Sequence, residues 1–543
     1  MLFGRDKKIK TDISVPGTTV LVGKAAEIKL LGLHEEGDSE IILFPQPSAD
    51  PNDPLNWPSW RKHLHFGILF FFGLILAAAS NFVGPIYTLL AEIYNVSLSQ
   101  LNTGGALEFL FLAFSCLFCQ PVAGKLGRRA VYLFSTLLTI ISAVVFVGDK
   151  TYGGYLGYSI LIGCAVGPID SLIEVSITDI FFLHQHGKYI GIYSLTMGLG
   201  SAFGPFIAGY VTQNLGYLWC GYLLIIIAGG LLLVEAFLLE ESVFKRTYES
   251  PELEDKLLEI VISNTSHVKS HTADIDPATK NNAVVELDSV SEPATIPRPK
   301  TYIELLRPFT ITDTRFTPMT VVNTLKVLRY PAVLWCSIVY GIQICWLSLI
   351  TVSESEFFMA PPYLFSANSV GLLSMAMVIG TVIGGAYTSC SDMVQLYFTR
   401  KNDGIFEPEF RLLMLPIPIF LNVVGLFMYG LGPYYGVHWI VGAIGIVFIA
   451  IALCCISGLS LNYVLECYPK QASATMTSVL FVRNLMGMVF TWVFQYWLDN
   501  VGVIGTTSML AAFCLVINGS FIIIYLWGKN FRKYTQKWYE NAE

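Results

Sequence analysis

After residue 60 the chain is a succession of long apolar runs separated by short polar turns. Six runs, near residues 63–90, 101–121, 129–148, 155–182, 188–211 and 217–239, are each long enough to cross ~30 Å of hydrocarbon at about 1.5 Å per residue. A hydrophilic stretch from Glu240 to Arg329 then interrupts the pattern. Ser, Thr, Asp, Glu and Asn dominate 265–299, a composition that predicts a largely disordered linker. Six more runs follow near 331–356, 366–391, 412–431, 438–466, 473–498 and 506–527. Ahead of the first run the sequence is polar and aperiodic, and Pro51, Pro54 and Pro58 in DPNDPLNWPSW exclude a regular helix there. The expected architecture is an all-α membrane protein of twelve transmembrane helices. Two six-helix bundles occupy 63–240 and 331–528, with a cytoplasmic linker at 241–330 and cytoplasmic tails at 1–62 and 529–543.

Charge adds an orientation. Loops assigned to one side carry Arg61 and Lys62, Lys125 with Arg128 and Arg129, Lys188, Lys245 with Arg246, Lys326 with Arg329, Arg400 with Lys401 and Arg411, Lys470, and Lys529 with Arg532 and Lys533. Loops assigned to the other side carry only Lys150. Because Lys and Arg near helix ends are retained in the cytoplasm, the alternation predicts an even helix count with both termini cytoplasmic. Composition agrees, since 54% of the 543 residues are hydrophobic and 13% carry a DEKR charge, about half the charged share of a soluble domain. The net charge of -7 is modest, and cations confined to loops leave no nucleic-acid footprint. Eleven Cys are scattered, Cys116, Cys119, Cys454 and Cys455 inside apolar runs, without metal-ligand spacing. Residues 1–19 hold no apolar core of signal-peptide length, so the first membrane helix is expected to serve as its own signal.

Two motifs fit this architecture. Gly124-Lys-Leu-Gly-Arg-Arg-Ala-Val-Tyr132 lies between the second and third runs, and Gly200-Ser-Ala-Phe-Gly204-Pro205-Phe-Ile-Ala-Gly209 lies in the fifth. The first resembles the signature of the major facilitator superfamily between helices two and three, where Gly permits a tight turn and cations stay at the cytoplasmic surface. On that resemblance Lys125, Arg128 and Arg129 are gating or structural charges. The family usually has Asp where this chain has Gly124, so the inter-bundle charge contact credited to that Asp is not carried over. The second motif is similar to that of proton-coupled antiporters, in which small residues let helices approach and Pro205 can bend the backbone. Ser159 replaces the family's helix-four Arg and departs from its usual proton relay. The fungal drug:proton antiporter-like branch is resembled by Asp53-Pro-Leu-Asn-Trp57, Glu174 through Asp179-Ile-Phe-Phe182, Gly187-Lys-Tyr-Ile-Gly-Ile-Tyr-Ser194, Glu240-Glu-Ser242, Glu407-Pro-Glu-Phe-Arg-Leu412, and Asn462-Tyr463 with Glu466-Cys-Tyr-Pro469. Within that branch the chain resembles the fungal plasma-membrane permeases that take up polyamines and admit histidinol and monovalent cations.

An ionisable side chain near the bilayer midplane costs at least ~2.5 kcal/mol by insertion scales, which makes it a functional candidate. Asp170 and Glu174 lie four residues apart in the fourth run, on one helix face and roughly 6 Å apart along the axis. Two carboxylates that close repel when both are ionised unless a proton or cationic substrate neutralises them, so proton and ammonium compete for one site. A buried structural pair is the bland alternative. Glu108 is a further carboxylate at membrane depth, open to either reading. Glu354 and Glu356 end the seventh run, where a wet vestibule is favoured over a substrate-binding role.

On the resemblance, helices one, four, seven and ten line the central cavity, which adds Asn81, Tyr340, Trp346, Asn462 and Tyr463 as wall residues. Aromatic faces hold an ammonium by roughly 0.5 to 2 kcal/mol, although packing or interface anchoring is the commoner role. Arg483, beside Asn484, is the lone Lys or Arg at mid-depth and needs a carboxylate or carbonyl partner. The preferred reading is a structural ion pair locking the C-terminal bundle. Asp179, Glu409 and Glu466 sit near cytoplasmic helix ends, with gating or capping roles. The Asn95-Val-Ser97 sequon hugs the membrane, which opposes glycosylation, and Asn264-Thr-Ser266 falls on the cytoplasmic side.

These residues predict a secondary transporter rather than an enzyme. The sequence has no intramembrane His or Cys cluster and no nucleophile arrangement, and His184 and His186 fall in a loop. The expected function is proton-coupled uptake of polyamines and related organic cations, by rocking of two bundles about a midplane site. The alternatives are a drug or organic-cation:proton efflux antiporter, which the fifth-run motif permits, and a non-transporting membrane sensor. Expected partners are a small cationic solute such as a polyamine, protons and the lipid bilayer, with no cofactor, metal or nucleic acid. The expected location is the plasma membrane, as a multi-pass monomer.

Overall fold

In lipid every backbone N–H and C=O must be satisfied within its own segment, so the apolar runs become helices. The computed structural model describes residues 16–17, 19–20, 50–244, 298, 302–307, 309, 318–402 and 405–540. Its N-terminal half folds as α1 (Ser59–Tyr94), α2 (Leu98–Leu126), α3 (Arg128–Gly148), α4 (Tyr152–Ile180), α5 (Leu183–Leu215) and α6 (Leu218–Leu238). The C-terminal half begins with α7 (Pro331–Met359), α8 (Ala367–Lys401), α9 (Pro408–Tyr434) and α10 (Ile440–Cys467). A continuous stretch, Ala472–Glu540, follows. Gly502, at φ 77° and ψ 167°, adopts a conformation that costs only glycine little, and divides that stretch into α11 (472–501) and α12 (503–540). Twelve helices of membrane-spanning length result among the described residues. The linker stretch 245–297, with Lys245, Arg246 and the Asn264 sequon, and most of the N-terminal tail lie outside the described residues, as do the side chains of His184, His186, Lys188 and Lys470.

Two features depart from an aperiodic tail. Thr19–Val20 (β1) pairs antiparallel with Ile405–Phe406 (β2), the one strand pairing among the described residues. The Asp53–Trp57 segment is docked rather than solvated. Asp53 Oδ1 accepts the Leu55 N–H at 3.0 Å and caps a short 3-10 turn over Pro54–Asn56. The buried Trp57 ring stands 5.7 Å from the His65 ring and 4.4 Å from the Arg61 guanidinium.

Within the N-terminal bundle α2 packs along α4, α1 along α5, and α3 against both α4 and α6. Within the C-terminal bundle α7 packs against α10 and α11, while α8 and α9 pack on α10. The bundles meet along α2 with α11 and along α5 with α8, and the last segment of α1 packs on α7. Gly163 is required at the α2–α4 contact, because a Cβ there would lie 2.4 Å from the Glu108 carbonyl oxygen. Large apolar side chains such as Phe71, Phe134, Ile226, Leu233 and Phe420 point outward, as lipid-facing surface requires. The end that carries Arg61, Arg128, Arg411 and Arg532 is the basic end below, and the opposite one is the far end.

Candidate functional site

Pro168, inside α4, has no N–H to give the carbonyl of Cys164, which instead accepts from Ser115 Oγ of α2 at 2.7 Å. Two residues on, Asp170 is 5% exposed at the meeting of the bundles. Its Oδ2 accepts a close charge-assisted hydrogen bond from Nη2 of Arg483 in α11, itself 3% exposed. Arg483 also donates from Nη1 to the Tyr340 hydroxyl of α7 at 3.0 Å, and from Nε and Nη2 to Asn484 Oδ1 at 3.1 and 2.9 Å. The guanidinium lies 4.9 Å from the centre of the Tyr340 ring. This corrects the reading of Arg483 as a lock within the C-terminal bundle, because its carboxylate partner belongs to the other bundle. Helix periodicity gives a side chain its face but does not say which helix stands opposite. Glu174, one turn nearer the basic end, is half-buried and makes no hydrogen bond or ion pair among the described residues. Of the two carboxylates on this face of α4, Asp170 alone is paired with the guanidinium.

Toward the far end the same interface encloses a cavity of about 60 Å³, walled by both bundles. Glu108 of α2 faces it and accepts a close hydrogen bond from Ser80 Oγ of α1. Tyr87, 3% exposed, turns its hydroxyl toward it beside that of Tyr155. From the opposite bundle Ser348 and Thr491, hydroxyls 2.5 Å apart, complete the rim. Asn81 lines this cavity too, with Nδ2 donating to Ala77 O at 2.9 Å. Ser159, which stands in place of the family's Arg, donates back to Tyr155 O of its own helix at 3.0 Å.

The structure removes three expected wall or vestibule residues. Tyr463 is fully buried inside the C-terminal bundle, edge-on to Trp335 at 6.0 Å, rather than on the cavity wall. Trp346 is likewise fully buried, against Phe490 of α11 at 6.1 Å, and reaches no open space. Glu354 is 2% exposed, so no wet vestibule surrounds it, and both its oxygens lie 3.0 Å from Ser374 Oγ of α8. The chain beyond α7 folds back there, placing Tyr363 and Phe365 on Phe358. Glu356 is half-buried, with one oxygen shut from solvent, and Asn462 is half-buried on α10.

At the basic end, charge is used within bundles. Arg128 pairs with Asp179, and Glu241 accepts the backbone N–H groups of Arg128 and Arg129 at 2.9 and 3.2 Å, where the N-terminus of α3 favours an anion. The buried Arg129 donates to Ala236 O at 2.7 Å, while Lys125 is exposed at the end of α2. Arg411 contacts Glu466 at 2.5 Å. Where Gly124 forgoes the family's Asp, the amide of Gln120 exchanges close hydrogen bonds with Ser473 and Thr477 of α11, a neutral tie between bundles. Sequence reasoning passed over Glu235 of α6, a fully buried carboxylate beside the Thr136 hydroxyl. An acid inside the sixth apolar run was the available signal.

Residues 69–491 match the family model described as Major Facilitator Superfamily. The chain is 30% identical over 538 residues to Protein HOL1 of Saccharomyces cerevisiae, covering 92% of each chain. It is 29% identical over 522 residues to an uncharacterized MFS-type transporter of Schizosaccharomyces pombe, covering 92% of this chain and 90% of that one. Among solved structures, a partially occluded inward-open conformation of the xylose transporter XylE from E. coli is similar with a TM-score of 0.56 at 14% identity, covering 85% of this chain and 97% of that one. That likeness concerns fold alone. Two helical bundles meeting through small residues, and a family match spanning most of the helices, lead to one conclusion: the chain is a membrane transporter, not an enzyme, and belongs to the Major Facilitator Superfamily.

Proposed function

We propose that this transporter carries polyamines and related organic cations inward across the plasma membrane, driven by protons, with its basic end in the cytoplasm. One observation carries the reading: Asp170 and Glu174 present two carboxylates where the protein supplies one guanidinium, Arg483. An ammonium or a proton arriving at Glu174 provides the missing positive charge. A cation that also engages Asp170 competes with Arg483 and loosens the tie between the bundles. Substrate then has different contacts in the tied and untied states, which is what a ligand needs in order to drive a conformational change. Proton and ammonium, taken in turn by the same carboxylates, couple the gradient to transport. Tyr340 adds a ring face beside the site. The asymmetry of Lys and Arg between loops supports the orientation, and the resemblance to fungal polyamine permeases supports the substrate class.

Uptake of labelled spermidine by cells expressing the full chain should rise when the outside is made more acidic than the inside, and collapse when the proton gradient is dissipated. Glu174→Gln should lower that uptake at least about tenfold at equal surface abundance, the equivalent of one lost charge contact. Uptake indifferent to both the gradient and the substitution rejects the reading. The second reading, an efflux antiporter, is favoured by the Gly200 to Gly209 segment, where Gly200 and Gly204 bring α5 directly onto the backbone of α1. It predicts proton-dependent loss of a preloaded cation without uptake.

A further inference from the structure

The acidic cavity around Glu108 has no part in the transport step above. At about 60 Å³ it has room for a few waters or an ammonium-sized group. Among the described residues its carboxylate receives one donor, Ser80 Oγ, and none of the lining side chains is basic. The Tyr87 and Tyr155 hydroxyls are buried against the same space, and each oxygen can accept from a further donor. An alkylammonium carries three donors and a positive charge, which suits one carboxylate ringed by hydroxyl oxygens.

The register of the helices gives the distance to the first site. Gly163 of α4 packs on the backbone of Glu108, and Asp170 stands seven residues further along α4, so the two acidic levels are about 10 Å apart along the axis. A linear triamine measures on the order of 10 Å between its end nitrogens, and a four-carbon diamine about 6 Å, from ordinary bond lengths. Between the two levels Phe109 packs over Gly487 across the bundle interface, an apolar contact that methylene groups can replace.

We propose that the Glu108 cavity is a second ammonium subsite, which together with the Asp170 and Glu174 site reads the length of a linear polyamine. The inference rests on the polyamine reading above. One end of a triamine sits at Asp170 and Glu174 while its other end reaches Glu108, Ser80 and Tyr87. A diamine engages one site at a time.

The test is the ratio of apparent KM for a labelled triamine to that for a labelled diamine, in cells expressing the full chain at matched surface abundance. Glu108→Gln should raise that ratio at least about tenfold, Tyr87→Phe should raise it less, and Glu108→Asp should restore most of it. An unchanged ratio, or equal losses for both amines with altered pH dependence, overturns the proposal and leaves Glu108 as a proton carrier or a structural acid. Because the hydroxyl-lined carboxylate could also hold a free monovalent ion, potassium and ammonium salts are added as competitors. Competition that vanishes in Glu108→Gln overturns the assignment to the substrate's own end, and its absence supports it. If the wild type takes up neither amine, the polyamine reading itself fails, an outcome separate from all of these.

Discussion

Ion pairs at the basic end and the ion pair at mid-depth are built from the same kinds of side chain, yet they join different things. At the basic end the pairs among the described residues stay within one bundle: Arg128 with Asp179, Arg61 with Glu240, Arg411 with Glu466, and Arg532 with Glu409. Among the described residues, Asp170 with Arg483 is the one pair that joins the two bundles. A pair inside a rigid body survives any movement of that body, whereas a pair across an interface is made or broken by it. On the proposed rocking mechanism, charge therefore serves folding at the rim and switching in the middle.

Breaking the middle pair should have the largest effect. Asp170→Asn or Arg483→Gln leaves a buried charge without its partner, a loss of about 3–5 kcal/mol, and either is expected to lower thermal stability in detergent and abolish spermidine uptake. The reciprocal swap, Asp170→Arg with Arg483→Asp, restores an ion pair but moves its carboxylate to α11 and sets a cation beside Glu174. Stability should return and uptake should not. Recovery of both would show the pair to be structural only.

The rim pairs sharpen the contrast from the other side. Arg532 is fully buried, donates to both oxygens of Glu409 at 2.8 and 2.6 Å, and also donates to Pro16 O at 2.7 Å. Arg532→Gln should cost about 3 kcal/mol of stability by the same argument. Uptake per folded transporter at the cell surface should nevertheless stay within about twofold, since the pair lies within one bundle. A loss of uptake beyond the loss of folded protein would place Arg532 in the transport cycle and dissolve the distinction.

Much of the fold was legible because a membrane-spanning helix must satisfy its backbone locally, so each apolar run reports its own structure. The acids at 108, 170 and 174 were legible for a related reason, since a charge in an apolar run stands out. The partners were not legible. Arg483 and Asp170 are 313 residues apart in sequence, and nothing in either run names the other. Tyr463 misled because α10 is apolar on every side, so periodicity could not say which face meets the cavity. Glu354 misled because closeness to a helix end was taken for closeness to water, while the chain after α7 folds back over that end. Tight contacts such as Gly163 on Glu108 are visible in sequence only as small residues.

The smallest expected effect separates Tyr340 from Tyr463, two tyrosines with the same sequence expectation of lining the cavity. Tyr340 accepts the Arg483 guanidinium at 3.0 Å beside Asp170, so Tyr340→Phe removes an acceptor from the cross-bundle cluster. A hydrogen bond to a charged group is worth about 1.5–3 kcal/mol, and uptake should fall several-fold. Tyr463 holds a buried hydroxyl within one bundle, against the Cys467 thiol. A thiol is a weak hydrogen-bond partner, so Tyr463→Phe should leave uptake unchanged and stability within about 1 kcal/mol. Parallel uptake and thermal unfolding measurements on the two variants decide the matter. If Tyr463→Phe loses uptake at full stability while Tyr340→Phe does not, the transport pathway runs through the C-terminal bundle and not between the bundles.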